Sequence, residues 1–239
     1  IMGLIGENGA GKSTTIRLIL NALSRDGGTV AVYGKDNRAL TPLEREDIGA
    51  VLDEVGLPEY MTARQIGRMM AGIFARWQPE VYRDYLRRLA LPEDKTFRDF
   101  SRGMKMKLGL AAALSHQPKL LLLDEATSGL DPVVRDEILT IFADFTRDEE
   151  HAVLISSHIV SDLEKICDYI AFLHKGRLLL CEEKDRLTEE YGILRGGTDG
   201  IAPAAVCGRH ATPYGTEYLV RRDAVPVGMA LGQVNIEDL

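Results

Sequence analysis

The chain has 239 residues, 45% of them apolar, enough to bury a core in one large domain or in one domain with a small appendage. Its formal net charge of −7 provides no overall basic field for nucleic acid or for an anionic lipid surface. The apolar runs, such as 110–114 and 120–123, are much shorter than the roughly 18 to 20 residues of a membrane-spanning helix. The three cysteines are isolated, which is typical of inert thiols in a reducing cytoplasm.

A phosphate-binding loop is predicted close to the start of the chain. Residues 6–13, Gly-Glu-Asn-Gly-Ala-Gly-Lys-Ser, fit the pattern G-x-x-x-x-G-K-[ST]. The apolar pair Leu4 and Ile5 before this loop predicts a strand, and apolar residues at helical spacing after it predict a helix. Chance gives the fixed positions in roughly one chain in a hundred of this length, and the flanks lower that further. The sequence therefore predicts a site for a triphosphate.

Glycine and the following helix explain how such a loop holds phosphate. A glycine-rich backbone can turn its N–H groups toward one anion, and the helix directs the positive end of its dipole there. We expect Lys12 to reach the β- and γ-phosphates and Ser13 to ligate Mg²⁺. The other predicted ligand-binding residues of the loop are Glu7, Asn8, Gly9, Ala10, Gly11 and Thr14.

Strand and helix patterns alternate along the next part of the chain. Residues 29–33 alternate in polarity, Thr41 and Pro42 open a short charged helix, and 48–52 is an apolar strand. This alternation predicts an α/β fold with a mostly parallel sheet flanked by helices. The chain opens at Ile1 inside what should be a core strand, so we expect the N-terminal strands of the core to be absent from it.

Residues 53–117 carry helical patterns and no convincing strand. A capping box at 62–65 starts the first helix of this stretch, and Pro79 suits the first turn of the second. The last helix begins after Ser101, a suitable N-cap, and ends before Pro118. We therefore expect an inserted α-helical subdomain.

Beyond this insertion the sheet pattern returns. A leucine run at 119–124 is typical of a strand buried on both faces, and 152–157 is a second buried strand. Lys175 and Gly176 form a predicted hairpin turn between two apolar strands. The sequence thus predicts a P-loop ATPase core at 1–52 and 118–190, the helical subdomain at 53–117, and a small C-terminal extension at 191–239 with strands at 214–222 and 225–234.

Two acids end the leucine run. Asp124 and Glu125 follow the strand at its carboxyl end, where open α/β sheets bind ligands. We expect Asp124 to hold Mg²⁺. Because side chains alternate along a strand, Glu125 points another way, and we expect it to act as the general base for the attacking water. Alone, a leucine run ending in acids is weak evidence for a site; after a phosphate loop it becomes strong.

Three motifs together resemble those of a known family. These are Phe-Ser-Arg-Gly-Met-Lys at 100–105, Asp-Glu-Ala-Thr-Ser-Gly-Leu-Asp-Pro at 124–132, and His158 after the second buried strand. In order and spacing from the phosphate loop onward, residues 3–187 look like the ATP-binding subunit of an ABC transporter.

The resemblance implies further roles. Ser101 and Gly103 would bind the γ-phosphate of ATP held by the opposite subunit of a dimer, so that two nucleotides lie between two chains. Asp131 would belong to the loop that joins the two active sites, and His158 would contact the γ-phosphate and join Glu125 and Lys12 in catalysis. By themselves, Ser101 and Asp131 are also ordinary helix N-caps, and a lone histidine at a strand end is more often structural.

The chain departs from the family pattern at several positions. Asp53 stands where the family has a glutamine that ligates Mg²⁺, and we expect Asp53 to act as an oxygen ligand. In the motif at 100–105, which is the signature segment of the family, Arg102 replaces a glycine and Met104 replaces a glutamine. These replacements resemble those of exporters with separate membrane subunits. The aromatic residue that stacks on adenine in the family normally precedes the phosphate loop, in a segment that this chain lacks.

The implied function is an ATPase that dimerises around two ATP molecules, with an identical or a related second subunit, and drives a membrane permease, as an exporter. Its implied location is cytoplasmic, peripheral on the inner face of the cell membrane, and no nucleic-acid partner is expected.

Three alternatives remain open at this point. A soluble ABC-type ATPase for assembly, translation or repair is disfavoured because the chain carries neither a second cassette nor an inserted coiled coil. A non-hydrolysing nucleotide switch is disfavoured by the presence of Lys12, Asp124, Glu125 and His158. A P-loop kinase would leave the signature segment and the Asp131 loop unexplained.

Overall fold

A computed structural model describes residues 1–198, 201–213, 215–226 and 229–236 of the chain. The strands of its main part are β1 (Met2–Ile5), β2 (Ala31–Val32), β3 (Lys35–Asp36), β4 (Ile48–Val51), β5 (Leu120–Asp124), β6 (Ala152–Ser156), β7 (Tyr169–His174) and β8 (Arg177–Glu183). Six of them form one sheet in the order β4-β5-β6-β1-β7-β8, in which β8 alone is antiparallel to its neighbour. The predicted α/β fold with a mostly parallel sheet is confirmed. The pattern at 29–33 gives only the short strand β2, paired with β3.

The register of the sheet brings three strand ends to one edge. Ser156 at the end of β6 pairs with Asp124 of β5 on one side and with Leu4 of β1 on the other. The central leucines of β5, 121–123, are fully buried between β4 and β6, as the continuous apolar pattern predicts. The segments that follow β1, β5 and β6 therefore emerge side by side.

Eight helices surround these strands in the described residues. They are α1 (Lys12–Ile19), α2 (Pro42–Arg45), α3 (Ala63–Ile73), α4 (Pro79–Arg88), α5 (Arg102–Leu114), α6 (Pro132–Phe145), α7 (Val160–Ile166) and α8 (Lys184–Glu190). Thr62 and Gln65 form the predicted capping box of α3. Ser101 and Asp131 are the N-caps of α5 and α6, and each accepts a hydrogen bond from the backbone N–H three residues on.

Helices α3, α4 and α5 lie between β4 and β5 in the chain and pack on one another. Their contacts include Ile66, Leu86 and Leu108, each of which is at most 1% exposed. Tyr82 is also buried, and its hydroxyl donates a hydrogen bond of 2.8 Å to the carbonyl of Ala63, which joins α4 to α3. Because α5 also packs against β4, this helical part is connected to the sheet through the segment that carries the signature motif.

The C-terminal part is a second, antiparallel sheet. It consists of β9 (Tyr191–Arg195), β10 (Val206–Thr212) and β11 (Gly215–Arg221) in the order β10-β11-β9. The strand predicted at 214–222 corresponds to β11, while Tyr214 lies outside the described residues. The strand predicted at 225–234 is wrong: its described residues contribute one isolated bridge, between Gly232 and Ile193.

Strands β9 and β10 were not predicted from the sequence. The pattern of β9 is short and contains Gly192, and β10 is largely polar, with most of its side chains exposed. Both strands are fixed by pairing with β11 rather than by their own apolar pattern. A small cluster around Leu194, Ile201 and Val220 forms the core of this sheet.

Across the described residues, no helix is both long enough and apolar enough to span a lipid bilayer.

Candidate functional site

The predicted phosphate loop connects the end of β1 to the start of α1. A side chain could not be added at Gly6, because its Cβ would lie 2.3 Å from the carbonyl oxygen of Leu173. Gly11 is the N-cap of α1 and has a φ of 110°, a conformation that residues with a side chain rarely adopt. The glycines therefore fix a tight loop that ends at the free N–H groups of a helix.

Lys12 is folded back over this loop. Its side chain is only 6% exposed, and its Nζ donates hydrogen bonds to the carbonyls of Gly6 at 2.6 Å and Glu7 at 3.3 Å. The same Nζ lies 3.6 Å from Oε1 of Glu125. The ammonium group thus sits between the loop and the end of β5, where it can serve an anion bound by the loop.

Asp124 is buried and has one unused oxygen. Its Oδ1 accepts hydrogen bonds from Ser13 Oγ at 2.9 Å and Ser156 Oγ at 2.6 Å. Its Oδ2 has no hydrogen-bond partner although the residue is 1% exposed. A buried carboxylate oxygen without a partner is costly unless a cation joins it. The hard oxygen donors of Asp124 and Ser13 therefore fit Mg²⁺.

Glu125 is in contact with His158. Oε2 of Glu125 and Nδ1 of His158 are 2.6 Å apart, and the glutamate side chain is 14% exposed while the histidine is half exposed. Glu125 has a φ of 52°, which is uncommon for a residue with a long side chain. Its backbone N–H donates to both the carbonyl and the hydroxyl of Ser156. The neighbouring strand thus holds a strained backbone that aims this carboxylate.

These groups share one open cleft of about 470 Å³. Its lining residues are Asn8, Gly9, Gly11, Lys12, Ser13, Thr14, Asp53, Arg102, Glu125, Ser128 and His158. The structure therefore brings together most of the predicted phosphate-loop residues, both predicted partners of Lys12 in catalysis, and Asp53. Asp124 lies beneath them through its hydrogen bond to Ser13.

Two predicted loop residues do not line the cleft. The carboxylate of Glu7 pairs with His174, at 3.2 Å. Ala10 is buried against Leu4 and Ala171, and its N–H donates to the carbonyl of Glu7. The side chain of Glu7 and the backbone N–H of Ala10 are therefore engaged within the chain rather than directed into the cleft.

Three further predicted residues lie away from the cleft. Ser101 and Asp131 are exposed and cap their helices, with Ser101 accepting from the N–H of Met104. Gly103 lies next to Val134, which is the contact that an added side chain would meet. These three residues do not line the cleft of their own chain, although Arg102, which lies between Ser101 and Gly103, does.

Three residues of the site were not predicted from the sequence: Ser156, Arg102 and Ser128, the last of which lines the cleft from the turn after Glu125. Ser156 donates to Asp124 and accepts from Glu125, and its position at the end of a buried strand was the available signal. Arg102 was noted only as a departure from the family, but its guanidinium lines the cleft and bonds to Asp53 at 2.9 Å.

Comparison with known proteins gives a consistent result. A family model described as ABC transporter matches residues 1–128. The chain is 31% identical over 191 residues to the ABC transporter ATP-binding protein YtrB of Bacillus subtilis (strain 168), covering 80% of this chain and 65% of YtrB. It is 34% identical over 181 residues to the bacitracin transport ATP-binding protein BcrA of Bacillus licheniformis, covering 75% of this chain and 59% of BcrA. It thus spans less than two thirds of either relative.

A solved structure shows the same architecture. It is described as an ATP-binding subunit of an ABC transporter, is 29% identical in sequence and superimposes with a TM-score of 0.67. The superposition covers 78% of this chain and 79% of the other. The chain is therefore similar to these proteins in both sequence and fold.

Proposed function

The chain belongs to the ABC transporter family, and from this we propose that it is an ATP-binding and ATP-hydrolysing subunit that drives a separate membrane permease. The observation that carries the proposal is the meeting of Lys12, Glu125 and His158 in one cleft above the buried carboxylate of Asp124. Transfer of a phosphoryl group to water needs a cation that binds the phosphate, a base that activates the water and a carboxylate that binds a metal ion.

In this proposal the residues of the cleft divide the chemistry among them. The loop and the first turn of α1 bind the phosphates, and Lys12 leaves its carbonyl partners to stabilise charge on the transferred phosphoryl group. Glu125 orients the attacking water and accepts its proton, and His158 holds the glutamate in place and contacts the γ-phosphate. The contact of 2.6 Å between His158 and Glu125 supports this division.

Mg²⁺ is the proposed cofactor. Bound beside the phosphates, it would supply charge neutralisation for the leaving group. Asp124, through its unpartnered Oδ2, and Ser13 are the residues that would hold it. Asp53 lines the same cleft and is proposed as a further oxygen donor.

We propose that two subunits, identical or related, close on two ATP molecules. The exposed tip of α5 with Ser101 and Gly103, together with the exposed cap Asp131, would then meet the nucleotide of the other chain. A serine hydroxyl and an unobstructed backbone N–H at a helix N-terminus are suited to a phosphate.

The proposed permease contact lies on the helical part. An apolar groove of about 370 Å³ runs between the end of β4 and the helices α3 and α5, with Val55, Leu57 and Met70 in its walls. Tyr60 and Ile73, both in the helical part, are 77% and 62% exposed. An apolar groove on the surface is a common docking site for a protein partner. We propose that the subunit works at the inner face of the cell membrane and that its transporter is an exporter. The similarity to a bacitracin transport ATP-binding protein supports a role in transport.

The experiment is an assay of phosphate release with MgATP, combined with sedimentation velocity. The native chain should release phosphate, and the Glu125→Gln variant should bind MgATP, lose turnover and accumulate as a dimer. Glu149→Gln changes an exposed glutamate outside the cleft and should behave as the native chain. Full turnover by Glu125→Gln would remove Glu125 from the role of base, and failure of the native chain to bind MgATP would contradict the proposed function.

A further inference from the structure

Two residues that depart from the family pattern are in direct contact. Nη2 of Arg102, the first residue of α5, donates to Oδ1 of Asp53 over 2.9 Å. Asp53 lies in the loop that follows β4, and both side chains are about half exposed, at 54% for Arg102 and 50% for Asp53. The ion pair therefore connects the tip of the signature helix to the sheet-side loop of the same chain.

A second contact fixes the path of the arginine. The turn after Glu125 contains Gly129 with a φ of 67°, and a Cβ built there would lie 3.2 to 3.4 Å from the guanidinium atoms of Arg102. The guanidinium thus lies close over a glycine and reaches Asp53 from there. The guanidinium therefore lies between Gly129 and Asp53, while about half of the side chain stays exposed.

The ion pair lies where the metal ion is proposed to bind. Asp53 and Arg102 line the same cleft as Ser13, whose hydroxyl is bonded to Asp124. A carboxylate that is paired with a guanidinium binds a divalent cation more weakly, because the guanidinium and the metal ion compete for the same negative charge. Binding of the metal ion at Asp53 must therefore weaken the bond to Arg102.

We propose that Arg102 is a positioning residue that competes with the divalent cation for Asp53. It holds Asp53 at the cleft, lowers the affinity of the cleft for the cation, and is released from Asp53 when the cation binds. This inference rests on the proposed function, because it assumes that a metal–nucleotide complex occupies the cleft. It differs from the role of the signature segment toward a second chain, because it acts within one chain.

The size of the effect follows from the exposure of the pair. Exposed ion pairs have coupling energies that correspond to factors of roughly 1.4 to 5 in an equilibrium constant, and salt reduces them. Because the bond between Arg102 and Asp53 is short, at 2.9 Å, we expect the upper part of this range: removal of Arg102 should tighten cation binding by about two- to five-fold at low salt, and by less at high salt.

The test is a double-mutant cycle on the full chain with Mn²⁺ as the probe. Free Mn²⁺ is measured by electron paramagnetic resonance in the presence of saturating ADP, for the native chain, Arg102→Ala, Asp53→Asn and the double variant. Arg98→Ala removes a guanidinium from an exposed residue just before the same helix and is the matched control. Circular dichroism melts establish that each variant is folded.

We expect Arg102→Ala to bind Mn²⁺ about two- to five-fold more tightly, and this gain to vanish when Asp53 is already asparagine. The control should match the native chain. An unchanged or weaker affinity in Arg102→Ala, or an equal gain in the presence and absence of the Asp53 carboxylate, would overturn the inference. Failure of the native chain to bind Mn²⁺ with ADP would instead count against the proposed function.

Discussion

The ring of His158 and the carboxylate of Glu125 are joined by a contact of 2.6 Å between Nδ1 and Oε2. The two residues lie 33 positions apart in the chain and follow adjacent strands, β6 and β5. The other oxygen of Glu125, Oε1, faces Lys12. The glutamate, which follows β5, is therefore oriented from both sides by groups that follow two other strands, β6 and β1, and these contacts keep a carboxylate on a strained backbone in one direction.

Loss of the His158 ring should impair hydrolysis more than binding. In His158→Ala, Glu125 loses the partner that orients it, so we expect phosphate release to fall about 100-fold or more. Nucleotide affinity should stay within a few-fold, since the phosphate loop and Lys12 are unchanged. Phosphate release and calorimetric titration with a non-hydrolysable ATP analogue measure the two quantities. His210→Ala, at an exposed histidine of β10, should be silent. Equal losses of binding and turnover would contradict the orienting role.

The local motifs predicted the parts of the site that lie within a few residues of one another. The phosphate loop, Asp124 and Glu125 each follow a strand whose apolar pattern is visible in the sequence. The contacts between these segments depend on which strands are neighbours in the sheet, and the order of the strands cannot be read from the apolar pattern of the sequence. Ser156 belongs to the site only because β6 lies between β5 and β1.

The same limit explains the bond between Arg102 and Asp53 and the missed strands of the C-terminal sheet. The two residues of the bond are 49 positions apart and approach through the packing of α5 on β4. Strand β9 pairs with β11 beyond the whole of β10, whereas the largely polar β10 pairs with β11 across the short connection between Thr212 and Gly215. Pairing between distant segments leaves little pattern in either segment alone.

Two changes around Asp124 should have different effects on the stability of the metal-free chain. Ser156→Ala removes a donor from the buried carboxylate and should lower the free energy of unfolding by about 1–3 kcal/mol. Asp124→Asn removes a buried charge whose Oδ2 lacks a partner, so the metal-free chain should melt no lower than the native one. The asparagine variant should nevertheless lose affinity for Mg²⁺ in the presence of nucleotide.

Thermal melts with and without Mg²⁺ and ADP test both statements. For a chain of this size about 1 kcal/mol corresponds to roughly 2–4 °C in Tm. Ser161→Ala, at an exposed serine of α7, is the control for the loss of a hydroxyl. If Asp124→Asn were strongly destabilised, the interactions of the carboxylate in the native chain would outweigh the cost of its unpartnered Oδ2, contrary to this prediction.

The close packing of α3 on α4 depends on a glycine. A Cβ at Gly67 would lie 2.5 Å from the ring of Tyr82, which is buried and hydrogen-bonded to Ala63 and so cannot move aside. Gly67→Ala should therefore destabilise the chain by about 1–3 kcal/mol. At Gly72 on the same helix the added methyl would meet nothing within 4 Å, and Gly72→Ala should stabilise by up to about 1 kcal/mol.

Urea unfolding of the two alanine variants provides a matched comparison, because both make the same chemical change in one helix. The midpoints should shift in opposite directions with little change in slope. If Gly67→Ala were as stable as Gly72→Ala, the spacing between α3 and α4 would be adjustable, and the ring of Tyr82 would not set it.

His116 should make the stability of the chain depend on pH. Its ring is 2% exposed, lies parallel to that of Phe74 at 4.1 Å, and has Nε2 3.3 Å from the carbonyl of Ile48, whereas Nδ1 has no partner. Burial lowers the pKa of His116, outweighing the hydrogen bonds that favour the charged ring. The folded chain thus favours the neutral ring, while the unfolded chain binds a proton near pH 6.5. The stabilisation is present above about pH 6.5 and is lost as the pH falls toward the depressed pKa.

The contribution of this one ring is separated by comparing variants rather than by the native profile alone, since carboxylates also titrate in acid. His116→Phe keeps an aromatic ring against Phe74 but cannot take up a proton. Its Tm should fall less than that of the native chain between pH values of about 7.5 and 5.5, whereas His210→Ala should follow the native profile. Parallel pH profiles for His116→Phe and the native chain would show that the buried ring does not resist protonation, because a ring that charges freely in the folded state has the same pKa in both states and contributes no dependence on pH.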